Sequence, residues 1–433
     1  MRITRTLSVA ALTGGLMLAA APATAQGTFA ITGGTVHTMT GASIEGGTVL
    51  VQDGRVVAVG RDVSIPQGAV RIDATGRQVT PGLIDSGTQV GLVEVGAVAG
   101  TVDRDMVTGP REDLRSQIRA AFTVTDGINP NSTVIPVTRI AGITTVVSRP
   151  GFGLVAGQGA VIDLAGRTLD EMVVRSPSGM FVRIGEGVSP ITGARGATMM
   201  ILREMLEDAR TLTPRTYERG AVREFTASRL DLLALQRVLN GEMPMVMEAH
   251  RASDILAGLR MADDYGFRLV LTGATEAWMV ADELAAADVP VVVKVMQNLP
   301  GSFERLGATF ENAARLHQRG VRVALTSGDT HNARNLRQEA GNAVAHGMPW
   351  EAALRALTTE PAVIWGLEGY GTLAPGSVAN VVVWDGDPLE IMTAVSHVFI
   401  RGNEIPLVSR QTQLRDRYMD PADRERMYRR GTN

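Results

Sequence analysis

The chain has 433 residues, 45% of them apolar and 20% charged, with a formal net charge of −3 and no cysteine. That length suits one large domain or two ordinary ones. The balanced charge and the 4% aromatic content speak against a nucleic-acid surface, and the missing thiol excludes disulfides, thiolate metal ligands and a cysteine nucleophile.

In chain order, residues 1–25 read as an export signal. Arg2 and Arg5 give a positive start, Leu7 to Ala21 is an apolar run too short to span a bilayer, and Ala23-Thr24-Ala25 offers a small-x-small cleavage site. The sequence therefore predicts cleavage after Ala25 and a periplasmic location, with no later run long enough for a membrane span. Residues 26–80 alternate and turn like an antiparallel sheet, and "GGTVLVQDGRVVAVG" (46–60) reads as a hairpin around Asp53-Gly54. Residues 367–408 return to that style, so both ends are expected to form one small composite β-sandwich.

Residues 81–366 behave differently, as short apolar strands alternating with amphipathic helices. "ITTVVS" (143–148), "MFVRI" (180–184), "MPMVMEA" (243–249), "RLVLTG" (268–273), "VPVVVKV" (289–295) and "VRVALTS" (321–327) are the strands. With the segment after Pro81 and one near 92–96 they make about eight units, which predicts an α/β fold of the (β/α)8 TIM-barrel type. An open doubly wound sheet competes, but no Gly-x-Gly-x-x-Gly follows a first strand. "VSRPGFGLVAGQGAVIDLAG" (147–166) reads as a glycine-rich loop and hairpin over the barrel mouth, with Gln158 a candidate pocket residue. Residues 409–433 form a charged tail, expected as an exposed arm or a helix packed on a neighbour.

Pro81-Gly82-Leu83-Ile84-Asp85, "EAHRASDIL" (248–256), "LTGATEAW" (271–278), "SGDTHNARNLRQEA" (327–340) and "GTLAPGSVANVVVWDGDPL" (371–389) together resemble the amidohydrolase superfamily, nearest its imidazolonepropionase-like and prolidase-like branch. The resemblance covers nearly all of the chain after the signal. It implies metal-assisted hydrolysis of carbon–nitrogen bonds in amide, cyclic amide or dipeptide-like substrates, with one or two divalent ions at the barrel mouth. It also implies ligands: His-x-His after strand 1, a carboxylated lysine or glutamate at strand 4, a histidine each at strands 5 and 6, and an aspartate at strand 8.

Those ligand positions fall here on Gly87 and Gln89, near Phe181 with Arg183 beside it, on Glu248, on Gly273 and on Asp329. Only the aspartate is kept. Lys294, the only lysine among 42 basic residues, falls in strand 7 and cannot serve strand 4. Asn380 stands where an aspartate is usual in the sandwich.

Three readings remain. Glu248 and His250 share a strand face, and Asp329 and His331 have the same spacing, so these four could hold one zinc or manganese ion in an active mononuclear hydrolase. Gln89, Glu248, Asp329 and His331 could form a metal-free acid–base set, although no Gly-x-Ser-x-Gly elbow supplies a nucleophile. The third reading, to which the sequence points, is a non-catalytic or weakly active subunit or scaffold. It would form a homo- or hetero-oligomer with an intact paralogue and could bind a small-molecule ligand. Asp329, Glu248 and His331 are then the catalytic candidates, and Gln89, Gln158, Arg183 and His250 the pocket candidates.

Overall fold

The computed structural model describes residues 27–107, 109–110, 113–213, 225–297 and 299–419. The expected signal segment with its cut after Ala25, and the tail beyond residue 419, lie outside the described residues. The chain starts in a mixed sheet of β1 (Phe29–Val36), β2 (Ile44–Gln52), β3 (Arg55–Gly60), β4 (Val70–Asp73) and β5 (Gln78–Pro81), with β1 antiparallel to β2 and parallel to β4 and β5. The Asp53-Gly54 turn joins β2 to β3 with both residues at positive φ, +51° and +75°. A two-residue hairpin loop needs that backbone, and Asp-Gly supplies it at little strain.

The chain then enters the central α/β region. β6 (Leu83–Thr88) pairs in parallel with β7 (Ile143–Ser148). β8 (Val155–Gln158) and β9 (Ala160–Asp163) follow, and β10 (Val173–Arg175) pairs with β9. β11 (Met180–Arg183), β12 (Met245–Ala249), β13 (Leu269–Gly273), β14 (Val291–Val293) and β15 (Val323–Leu325) are parallel in succession. β6, β7 and β14 are buried at every residue, as strands covered on both faces must be. Helices separate most of them. The one at Ala252–Tyr265 ends where Gly266 turns to φ +70°, the left-handed stop that glycine allows.

Two expectations need correction. The segment near 92–96 is no strand, because residues 89–92 turn at Gly91 (φ +87°) and Val93 makes only an isolated bridge to Val102. Nor does 147–166 form a hairpin over the strand ends. β9 lies antiparallel against β7 and β8 antiparallel against β11, so both are buried wall strands. Gly159 alone links them, carrying the chain from one sheet into the other. A Cβ there would sit 2.5 Å from the Phe181 ring.

Asp85 brings the outer strands of those sheets together. It accepts hydrogen bonds from Gly87 N (3.1 Å), Thr326 Oγ1 (2.7 Å), Ser327 N (3.2 Å) and Ser327 Oγ, tying β6 to the end of β15. The frame residues of β6 therefore have a structural task of their own.

Finally β16 (Val381–Trp384), β17 (Val395–Ile400) and β18 (Asn403–Glu404) rejoin the first sheet, in the order β18-β17-β16-β5-β1-β2-β3 with β4 on β1. A polar junction docks this sheet on the central region. Asp163, fully buried, accepts from Arg401 Nε (2.6 Å), Thr145 Oγ1 (2.7 Å), Tyr370 Oη (2.9 Å) and Asn380 Nδ2 (3.1 Å). An aspartate at 380 would press a second carboxylate on the first, which accounts for the amide. The charged helix Arg410–Met419 closes the described chain with no buried residue. Among the described residues no helix is long and apolar enough to cross a membrane.

Candidate functional site

Side chains repeat every two residues along a strand. Ile84, Val147, Phe181, Val246, Val270, Val292 and Ala324, one from each parallel strand, share a single buried apolar cluster. Two residues further on, toward the strands' carboxyl ends, the same face carries Arg149, Arg183, Glu248, Thr272, Lys294 and Thr326, with the Gly87 position of β6 beside Thr326 and Arg149. An apolar plug is thus capped by a layer of three cations, one carboxylate and two hydroxyls. Carboxyl ends of parallel strands are where α/β folds place their chemistry.

Glu248 and Arg183 are register partners on β12 and β11, and Arg183 Nη2 donates to Glu248 Oε2 at 2.8 Å. Burial opposes ionisation of Glu248, but the charges of Arg183 and Arg149 and the Arg183 hydrogen bond outweigh it and hold the carboxyl well below its ordinary range. Arg183 also lies over the Phe152 ring, 5.1 Å from its centroid.

His250 follows β12 and is 3% exposed. Its ring fills the space above Gly273, where a Cβ would lie 2.6 Å from Cε1. Nε2 lies 3.7 Å from Glu248 Oε1, beyond hydrogen-bond reach, and 2.9 Å from Arg305 Nη2. A guanidinium can only donate, so Nε2 holds the lone pair. Nδ1 then carries the proton and gives it to Thr275 Oγ1 at 2.7 Å.

A similar exchange occurs above Gly87. A Cβ there would be 3.7 Å from Arg149 Cδ and Nε, so the Arg149 side chain stands over the missing one. The two glycines in the ligand pattern each admit a side chain from elsewhere. Gln89 is occupied too, its Oε1 accepting from Arg104 Nη1 at 2.5 Å.

The other sequence candidates are placed apart. Asp329 Oδ1 accepts from Asn332 N at 3.2 Å. Burial opposes its charge, but the backbone of Asn332 and Thr330 and the nearby Lys294 together keep its carboxyl below the ordinary value. His331 turns outward to the Glu94 carbonyl, 2.9 Å from Nε2. Gln158 pairs with Met180 on the outward face of β8, donating to Ala120 O at 2.9 Å and facing Arg237. Its amide thus serves the shell around the strands. Sequence reading overlooked Arg149, Arg305 and Glu339 as site residues. Glu339 is 5% exposed and accepts from Met296 N at 2.8 Å. Burial pushes its carboxyl up to about 7 against the Met296 hydrogen bond and Lys294. Only Arg149, directly after a strand, and Lys294, unique in composition, carried a signal.

This donor set does not fit a divalent ion. Glu248 is committed to Arg183, the His250 lone pair to Arg305, and His331 faces away. Cations already stand where an ion would be held, and a further charge would meet their repulsion. Among the described residues no three His, Asp or Glu side chains are placed to hold a metal.

A model of the amidohydrolase family matches residues 260–405. The chain is 23% identical over 393 residues to amidohydrolase tasK of Hapsidospora irregularis, covering 82% of this chain and 39% of that protein, so it spans well under half of that relative's length. It is 26% identical over 381 residues to the imidazolonepropionase of Acidiphilium cryptum (strain JF-5), covering 81% and 90% of the two. Its fold matches the crystal structure of an amidohydrolase from Thermotoga maritima MSB8 with a TM-score of 0.78 at 30% identity, over 87% of this chain and 99% of that one.

Proposed function

The chain belongs to the amidohydrolase family, and we propose that it is a member whose strand-end pocket serves binding rather than metal-assisted hydrolysis. The carrying observation is that guanidinium groups engage the donors an ion would need: Arg183 on Glu248 and Arg305 on His250. Hydrolysis of a carbon–nitrogen bond by this family's route needs an ion to polarise the carbonyl and activate water. Without it the chain acts as a non-catalytic or weakly active subunit, paired with an intact paralogue in an oligomer and exported to the periplasm by its first 25 residues. The fold in this reading is a closed (β/α)8-type barrel with a composite β-sandwich, the segment 155–163 replacing one parallel strand. Asp85, spanning from β6 to Thr326 and Ser327, supports that closure.

Metal analysis of the dialysed protein tests the reading. Well under one ion per chain is expected, with an intact relative co-purifying from the native source. About one ion per chain, released by His250→Ala or Asp329→Ala, would instead establish a mononuclear zinc or manganese hydrolase built on Glu248, His250, Asp329 and His331.

A further inference from the structure

In the layer above the apolar plug cations outnumber carboxylates, with Asp85 near Arg149 and Asp329 and Glu339 near Lys294 as the further negative groups around it. Arg183 is matched by Glu248. Arg149 and Lys294 have no ion pair among the described residues, and the one hydrogen bond of the Arg149 guanidinium is a 3.5 Å contact to the Pro150 carbonyl. The two flank the end of β15. Arg149 adjoins the Gly87 position beside Thr326, and Lys294 Cδ would lie 3.1 Å from a Cβ on Gly328. Donors are in surplus as well. Arg183 Nε is buried without a partner. Buried donors left unmatched in a native fold call for an explanation.

We propose that the strand-end pocket binds the carboxylate of a small organic acid between Arg149 and Lys294. A carboxylate is acceptor-only and planar, and it meets a guanidinium through two parallel hydrogen bonds. A dianion such as phosphate fits less well. Glu248 lies beside the arginines and Asp329 beside Lys294, so each added unit of ligand charge meets fixed negative charge. The proposal rests on the metal-free reading, since an ion in this pocket would itself attract the acid.

The unique lysine makes the test direct. An amine-directed reagent such as trinitrobenzenesulfonate modifies one side chain, read from its peptide by mass. Acetate is the probe, because its size removes any question of whether the rest of a ligand fits. At ionic strength matched with chloride, acetate at a few times its Kd should slow Lys294 modification about fivefold and saturably, and Arg149→Met should weaken acetate about tenfold. Equal slowing by chloride, or unchanged protection in Arg149→Met, overturns the proposal. Phosphate protecting better than acetate overturns the carboxylate assignment. Lys294→Met provides a second route: acetate should raise the melting midpoint of the wild-type protein and not of this variant, and equal shifts count against the proposal. Metal analysis of the same sample separates the two readings. A bound ion with protection intact refutes only the metal-free reading, and no ion with no protection refutes only this one.

Discussion

Two polar clusters face each other across the fold's economy of charge: the junction at Asp163 and the layer at Arg149. At the junction, Asp163 is surrounded by Arg401, Thr145, Tyr370 and Asn380, and the Tyr370 hydroxyl is held protonated by burial and by the adjoining carboxylate. At the strand ends, Arg149 and Lys294 have no ion pair among the described residues and Arg183 Nε lacks a hydrogen-bond partner. A satisfied network fixes two sheets in one arrangement. An unsatisfied one costs stability, and native folds keep that cost mainly where a ligand relieves it.

The sharpest way to break the contrast is at the junction. Asp163→Ala leaves Arg401 without its buried partner and should cost about 3–5 kcal/mol in urea unfolding. A loss below about 1 kcal/mol would show that the junction is no better paired than an exposed salt bridge. Next is Glu339, whose folded-state value of about 7 lies above the ordinary 4.5. Between those values the folded chain keeps a proton that the unfolded chain has released, so stability is greatest below the lower value. It falls as pH rises through the upper one, by up to about 3 kcal/mol. Glu339→Gln should flatten that profile, and an unchanged pH dependence would remove Glu339 from the account.

Gly142→Ala comes third. Its Cβ would meet the Trp384 indole at 2.1 Å, at a φ of +89°, and should cost about 1–3 kcal/mol by displacing the ring. The smallest expected effect makes the comparison most pointed. Arg149→Met should change stability by no more than about 1 kcal/mol, because it removes an unpaired charge instead of breaking a pair. A loss as large as that of Asp163→Ala would mean that Arg149 is structural.

Much of this was legible in the sequence. The Asp53-Gly54 turn, the shared sheet from both ends and the alternation of strand and helix follow from local rules. So does the placing of Glu248 and Arg183 at strand ends. The run of β8 and β9, each antiparallel to its own neighbour, was not legible. "VAGQGAVID" has the glycines of a loop, and only the requirement that β7 and β11 each find a neighbour makes it a wall. The partners of the site residues were hidden for a related reason. Arg305 reaches His250 across 55 positions and Arg149 stands over Gly87 across 62, and no periodicity encodes where a long guanidinium arm comes to rest. The absence of imidazoles was plain in the sequence, while what had moved into their space was not.

The reversed strand β8 has one further effect. A strand parallel to β7 and β11 would require a long crossover after β7, but the run of β8 and β9, antiparallel to both, needs only residues 149–154 between Ser148 and Val155. That link is short and anchored in buried strands at both ends, and Phe152 N is held by Asp105 at 2.7 Å. The rim on this side is therefore a fixed sill with Arg149 built into it.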